Sequence, residues 1–301
     1  MTGRVQPLDP SSRQPLLLFY NQPFGVADPA EIIDCGGAAA MTSDRKLLPL
    51  ATALIFHIPT LRGIDLPRKL PSQTWVAWSM ESEVNYPELA DRAFMRNFEI
   101  TMTYRRDATV WCPYIQPEMA QTVIVASKPK TESSPVVYFR SSQIDRCDRT
   151  SYAAELMKRV KIDSYGHVLR NKPLPMADTG RASLMEVMAR YKFALTLENS
   201  IAEDYVSEKF FEALAAGAVP IYRGAPNIDM YAPGENCFIN ARDFSSLEEL
   251  AAHLNRLDED DEAYSQHHQW RRAGVRPQFQ ALLDRVREPP FRRLCHLLQR
   301  N

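Results

Sequence analysis

Short apolar runs of four to six residues, separated by stretches of helical periodicity, recur along this chain and leave few folds open to it. Leu16–Tyr20, Ala53–Ile58 and Thr74–Ser79 (TWVAWS) stand in the first part, with Val123–Ala126 as a candidate to close it. Val136–Phe139, Lys161–Gly166, Phe193–Leu197 and Val219–Tyr222 stand in the second. Between the later runs, Ser151–Val160 places Tyr152, Leu156 and Val160 on one face, and Ser183–Tyr191 and Glu208–Ala216 are further predicted helices. Runs this short and this apolar suit strands buried on both faces, and strands alternating with helices build βαβ units around parallel sheets. Residues 127–135 (SKPKTESSP) are polar, broken by proline and aperiodic, so they are predicted to link two halves. At 301 residues the chain exceeds one comfortable core. The expectation is an α/β protein of two facing Rossmann-like domains, residues 1–130 and 131–275, with a basic helical tail over 276–301. In that architecture ligands bind outside the carboxyl ends of the strands.

Composition narrows function by exclusion. A net charge of -1 gives no global field for nucleic acid, so none is expected as a partner. No run of eighteen apolar residues occurs, and residues 1–15 lack a signal-peptide layout, so the expectation is a cytoplasmic protein. Cys35, Cys112, Cys147, Cys237 and Cys295 are scattered without a CxxC pair and read as five reduced thiols, with neither disulfide framework nor zinc site. The acidic run Asp258–Glu262 follows an amphipathic helix and reads as a solvated connection, and His267–His268 lacks ligand spacing, so no metal is expected. From Trp270 onward arginines accumulate beside an apolar stripe of Phe291, Leu294, Leu297 and Leu298. Such a tail either rests on an anionic membrane surface or packs back on the protein.

The chemistry concentrates in Tyr191–Gly224 (YKFALTLENSIAEDYVSEKFFEALAAGAVPIYRG). The strand Phe193–Leu197 delivers Glu198-Asn199-Ser200 to its carboxyl end, a polar loop follows, and Ser207 is placed to cap a helix beginning at Glu208. Gly217 then ends that helix. Strand, loop and helix N-terminus form a layout that receives a diphosphate, because unpaired backbone N–H groups and the helix dipole favour an anion there. Lys209 in the first turn opposes the dipole and is better accommodated with a phosphate beside it, while Glu208 is the type of residue that holds ribose hydroxyls.

Tyr191–Phe244 resembles the α1,3-fucosyltransferase family (glycosyltransferase family 10) almost without a break, through E-N-S, D-Y-V-S-E-K and the later V-P-I-Y-R-G. The resemblance implies an inverting glycosyltransferase of GT-B fold, with the active site in the cleft between two Rossmann-like domains. It implies GDP-fucose as co-substrate, no cofactor, and an oligosaccharide or glycoconjugate acceptor. Asn199, Tyr205, Glu208 and Lys209 are implied as donor ligands, Lys209 on the diphosphate and Glu208 on the ribose. Arg149-Thr150-Ser151-Tyr152 is similar to the family's Arg-led helix start, which makes Arg149 a second diphosphate cation, with Arg146 the alternative because FRSSQIDRCDR departs from the family's approach. Trp75–Glu83 resembles the family's strand ending in E-S-P/E, whose first carboxylate is the general base, so Glu81 takes that role and Glu83 competes for it. Phe98–Tyr114 resembles the family's Y-R-x-D-S-D block, except that Thr109 replaces its second acid. The function implied is transfer of L-fucose to an acceptor glycan, α1,3 to N-acetylglucosamine or glucose. The alternatives are the same donor with protein Ser or Thr, and a catalytically silent sugar-nucleotide-binding protein.

Overall fold

The computed structural model describes residues 14–300 apart from 27, 33–36, 62, 64, 117–118 and 125–127. These divide into two compact units, one running up to Pro113 and resuming at Glu288, the other Tyr114–Arg287. The first unit holds six parallel strands: β1 (Leu16–Phe19), β2 (Ala40–Thr42), β3 (Ala53–His57), β4 (Thr74–Ser79), β5 (Ile100–Thr103) and β6 (Val110–Trp111). They lie in the order β2-β1-β3-β4-β5-β6. The second holds β7 (Val136–Arg140), β8 (Ile162–Gly166), β9 (Phe193–Leu197), β10 (Val219–Arg223) and β11 (Ile239–Asn240), parallel in the order β11-β10-β9-β7-β8.

Each sheet is covered on both faces, which is why its strands read as continuous apolar runs. In the first unit Leu17, Phe19, Ala53, Ile55 and Val76 face one core, while Leu18, Leu54, Phe56, Trp75 and Ala77 face the other. In the second, Val136, Tyr138, Phe193, Leu195 and Leu197 face one core, with Val137 and Ala194 on the opposite side. Two doubly covered, all-parallel sheets make the Rossmann-like pair of a GT-B fold. The helices Arg149–Met157, Arg181–Met188 and Glu208–Ala215 fall where periodicity placed them, shifted by one to three residues at their ends.

Three expectations are corrected, and one open alternative is decided. Val123 ends a helix, Met119–Val123, rather than opening a strand, and residues 125–126 lie outside those described. Ser207 is the N-cap residue of the Glu208 helix, yet its side chain makes no capping bond, because its hydroxyl is engaged by Glu198. Cys295 is disulfide-bonded rather than reduced, whereas Cys112, Cys147 and Cys237 are free and buried. The tail's apolar stripe is occupied: the helix Pro290–Gln299 buries Phe291, Leu294, Cys295 and Leu298 in the core of the first unit, against Leu17, Phe19 and Met102. The strip offered by sequence to a membrane is therefore part of a protein interior. Among the described residues, no helix is long and apolar enough to cross a membrane. The Asp258–Glu262 run joins two helices, with Asp260 capping the second and Lys192 bridging Asp258 and Asp261.

Leu294 is fully buried, so Leu294→Ala is expected to destabilise the first unit by about 2–5 kcal/mol, read as a lowered urea midpoint. In the denatured, unreduced protein, Cys112, Cys147 and Cys237 are expected to take a thiol label and Cys295 to take it only after reduction, which peptide mass mapping checks.

Candidate functional site

β9 ends at Leu197 and hands on to Glu198, whose carboxyl group has no solvent exposure. One of its oxygens accepts from the backbone N–H of Ser207 at 2.8 Å and the other from the Ser207 hydroxyl at 2.7 Å. The strand end is thus tied to the N-terminus of the Glu208 helix, where free donors and the dipole favour a negative group. Burial drives the Glu198 pKa upward against the opposing pull of Lys209 and of the Ser207 bonds.

Lys209 Nζ donates to the Ser207 hydroxyl at 3.0 Å and to Glu208 Oε1 at 2.8 Å, and lies 4.0 Å from Glu198 Oε2. Burial alone would strip its proton, but the carboxylates of Glu198 and Glu208 outweigh burial and raise its pKa. For Glu208, burial pushes the pKa upward most strongly, but the charge and hydrogen bond of Lys209, a backbone N–H and the Arg149 charge together lower it. Lys209 is 31 % exposed and Glu208 43 %, so this pair presents one cation and one carboxylate to an incoming group.

Arg149 opens its helix from inside the protein, 2 % exposed. Its guanidinium donates to the carbonyl of Leu197 at 3.1 Å and of Ile144 at 2.7 Å, while buried Nε has no hydrogen-bond partner. Asp145 accepts from the backbone N–H of both Arg149 and Thr150 at 2.9 Å and sits near Arg140, which fixes that helix start. Burial and then the nearby Arg140 charge lower the Arg149 pKa, and its own charge acts on Glu208 and Lys209. The structure therefore gathers Arg149, Glu208 and Lys209 around the end of β9. Arg146, the alternative, keeps an exposed side chain and donates its backbone N–H to the Asn199 carbonyl at 2.8 Å. Asn199 is 8 % exposed, its Oδ1 accepting from Ser200 Oγ at 3.2 Å. Tyr205 is buried, edge-on to Tyr114 with ring centroids 6.1 Å apart.

Three residues that shape this site carried no assignment from the sequence. Glu198 stood inside the E-N-S motif, but nothing in one dimension shows that its carboxyl turns inward. Asp204 holds the loop in a left-handed conformation, φ +64°, and accepts from Asn227 Nδ2 at 2.8 Å and Tyr231 Oη at 2.9 Å. Gly224 passes so close to the clamp that a Cβ there would stand 2.4 Å from both Glu198 Cγ and the Tyr222 hydroxyl. That contact gives a physical reason for the glycine ending V-P-I-Y-R-G.

In the first unit, β4 ends at Ser79, whose hydroxyl donates to the Glu81 carbonyl at 2.9 Å. Glu81 Oε2 accepts from Asn85 Nδ2 at 3.2 Å. Glu83 is placed differently: Tyr104 Oη donates to its Oε2, and Arg105 Nη1 lies 3.7 Å from its Oε1. The two carboxylates separate by partner, one held by a neutral amide, the other by a phenol and a guanidinium. Among the described residues no group of three or more His, Cys, Asp or Glu side chains is arranged to hold a metal ion.

The chain matches the family models for the C-terminal part of glycosyltransferase family 10 (fucosyltransferase) over residues 127–301 and for the fucosyltransferase N-terminal part over residues 12–115. It is 34% identical over 284 residues to a 4-galactosyl-N-acetylglucosaminide 3-alpha-L-fucosyltransferase of Pan troglodytes, covering 90% of this chain and 76% of that one. It is 31% identical over 293 residues to the GDP-fucose protein O-fucosyltransferase 3 of Homo sapiens, covering 91% of this chain. The chain spans 60% of that human relative's length. A crystal structure of an alpha1,3-fucosyltransferase with GDP-fucose shares the fold, with a TM-score of 0.59 at 12% identity over 96% of this chain and 95% of that one.

Gly224→Ala forces Glu198 or Tyr222 to move, so it is expected to cost about 1–3 kcal/mol of stability. The same displacement loosens the start of the Glu208 helix, and slower amide exchange at Ser207 in the parent than in the variant is the check.

Proposed function

Because the chain belongs to glycosyltransferase family 10, the fucosyltransferases, we propose that it transfers L-fucose from GDP-fucose to a hydroxyl of an acceptor glycan with inversion at the anomeric carbon. The linkage proposed is α1,3 to N-acetylglucosamine or glucose. The observation that carries the reading is the buried Glu198–Ser207 clamp that holds Lys209 and Glu208 at a helix N-terminus. Its chemistry is that of a nucleotide diphosphate site.

A diphosphate approaching this helix start meets Lys209 and competes with Glu208 for it. As Lys209 turns to the phosphates, the Glu208 carboxylate becomes available to accept from ribose hydroxyls. Arg149 adds to the positive potential from beneath, and Asn199 and Tyr205 are proposed to complete the donor site. In the reaction the acceptor oxygen forms its bond to C1 of fucose while the bond from C1 to the phosphate oxygen breaks. GDP leaves with the electron pair, and the acceptor proton passes to a carboxylate. Charge grows on the leaving diphosphate, and the fixed cations Lys209 and Arg149 are suited to stabilise it.

Glu81 is assigned the proton. Glu81 follows the end of β4 with one oxygen held by the Asn85 amide, whereas Glu83 is engaged by the Tyr104 hydroxyl and the Arg105 guanidinium. A second reading, the same donor used on protein Ser or Thr, is favoured by the 31% identity to the human protein O-fucosyltransferase. Presenting glycan and folded-protein acceptors side by side separates the two.

Glu81→Gln is expected to lower kcat by about 10²–10⁴-fold with GDP affinity unchanged by calorimetry. Unaltered turnover in that variant would remove Glu81 from the role. A catalytically silent binder would titrate GDP and release none from GDP-fucose in either form. Stabilisation of the fold by another sugar nucleotide, and not by GDP-fucose, would overturn the donor assignment.

A further inference from the structure

Arg223 ends β10, half-buried, and none of the roles above uses it. Its backbone pairs with the end of β9, where its carbonyl accepts from the Glu198 N–H at 3.0 Å. Its side chain reaches the segment that follows β7. There Nη1 donates to the Cys147 carbonyl at 2.6 Å, and the guanidinium carbon lies 4.8 Å from the centre of the Tyr152 ring. A charge-assisted bond from the edge and an aromatic ring against the face hold an arginine in one geometry.

Cys147 belongs to the stretch 139–149 (FRSSQIDRCDR), where this chain departs from the resembling family. That stretch closes on the end of β9, whose last carbonyls accept from it one after another. Leu197 accepts from Arg149 Nη1 at 3.1 Å, Glu198 from the Cys147 thiol at 3.2 Å, and Asn199 from the Arg146 N–H at 2.8 Å. Burial raises the Cys147 pKa and keeps the thiol protonated, as a donor must be. The segment thus satisfies carbonyls that the sheet leaves behind as β9 ends.

Between Cys147 and Arg149 stands Asp148 in a left-handed conformation, φ +56°. A residue with a Cβ stays there only where the surrounding structure over-determines it. Both of its neighbours are tied: Arg149 by its guanidinium to the Leu197 and Ile144 carbonyls, Cys147 by its thiol to Glu198 and by its carbonyl to Arg223. The Cys147 carbonyl shares a rigid peptide plane with the Asp148 N–H, so the Arg223 bond fixes the plane from which the left-handed turn starts. The residue that the turn delivers is Arg149, the first of its helix.

Resting on the reading of the donor site above, we propose that Arg223 is a positioning residue for Arg149. By holding the Cys147 peptide plane it keeps Asp148 in its turn and the Arg149 guanidinium at the end of β9, where the diphosphate charge is met. Arg223 acts through Arg149 and not on the nucleotide, so donor affinity depends on a side chain of β10 that stands behind the site.

The test is a double-mutant cycle on the full chain, read by calorimetric titration with GDP. Arg223→Met keeps the stem and removes the donors, and it is expected to weaken GDP binding about tenfold, the scale of one charge-assisted hydrogen bond. Arg149→Gln is expected to weaken binding at least as much. The double variant is expected to bind no worse than Arg149→Gln alone, because Arg223 then has nothing to position. Arg223→Lys, which keeps a charged donor, is expected to recover part of the affinity. Amide exchange at Arg146 is expected to quicken in Arg223→Met while exchange within β9 and β10 keeps the parent's rate, which separates a loosened segment from an unfolded unit. If either variant does not fold, Arg223→Gln and Arg149→Lys take their places in the cycle. Additive losses in the double variant overturn the proposal, as does unchanged GDP affinity in Arg223→Met. Unchanged affinity in Arg149→Gln overturns the diphosphate role of Arg149 and the proposal with it, and a parent protein that binds no GDP overturns the reading of the donor site itself.

Discussion

The arrangement around the start of the Glu208 helix depends on one buried carboxylate. Glu198 sits without solvent exposure at the end of β9, and its oxygens are taken by the N–H and hydroxyl of Ser207. An isolated buried carboxylate would be neutralised by its own desolvation. Here two hydrogen bonds, the helix start and the Lys209 ammonium share that load. Lys209 is in turn held charged by Glu198 and Glu208, against the burial that would neutralise it. Removing Glu198 takes the acceptor from the Ser207 N–H and hydroxyl and one carboxylate from Lys209, which ties the segment from Glu198 to Lys209 into one unit.

The same logic explains what a sequence can and cannot disclose here. The central strands were legible because burial on both faces leaves an unbroken apolar run, as in Phe193–Leu197 and Thr74–Ser79. β2, β6 and β11 were not, being two or three residues long with no room for a period, and they exist because a neighbouring strand offers a free edge. β5 reads as polar for half its length, since Thr101 and Thr103 line a cleft together with Glu83 and Arg105. The tail could be recognised as amphipathic, but whether its stripe met lipid or protein was decided only by the place Phe291 and Leu294 find against β1 and β5.

Site residues divide in the same way. The positions of Glu208 and Lys209 were legible because a helix start following a strand and a loop is read from adjacency. Arg149 was legible as a cation and illegible as a buried one, because its guanidinium finds the carbonyl of Leu197 from 48 residues away. Glu198, Asp204 and Gly224 were in plain view within the motif. Their roles depend on which way a side chain turns and on how closely two loops approach, and neither is written in local pattern.

Glu81 and Glu83 are identical side chains in one short segment with different surroundings. At Glu81, the Asn85 amide donates to one carboxylate oxygen and orients it. At Glu83, the Tyr104 hydroxyl donates to one oxygen and the Arg105 guanidinium stands beside the other, which fixes the geometry of that carboxylate. The Y-R-R-D turn following β5 therefore does more than close a loop: through Tyr104 and Arg105 it engages Glu83 two residues from Glu81, so the two carboxylates of this short segment are held by different neighbours.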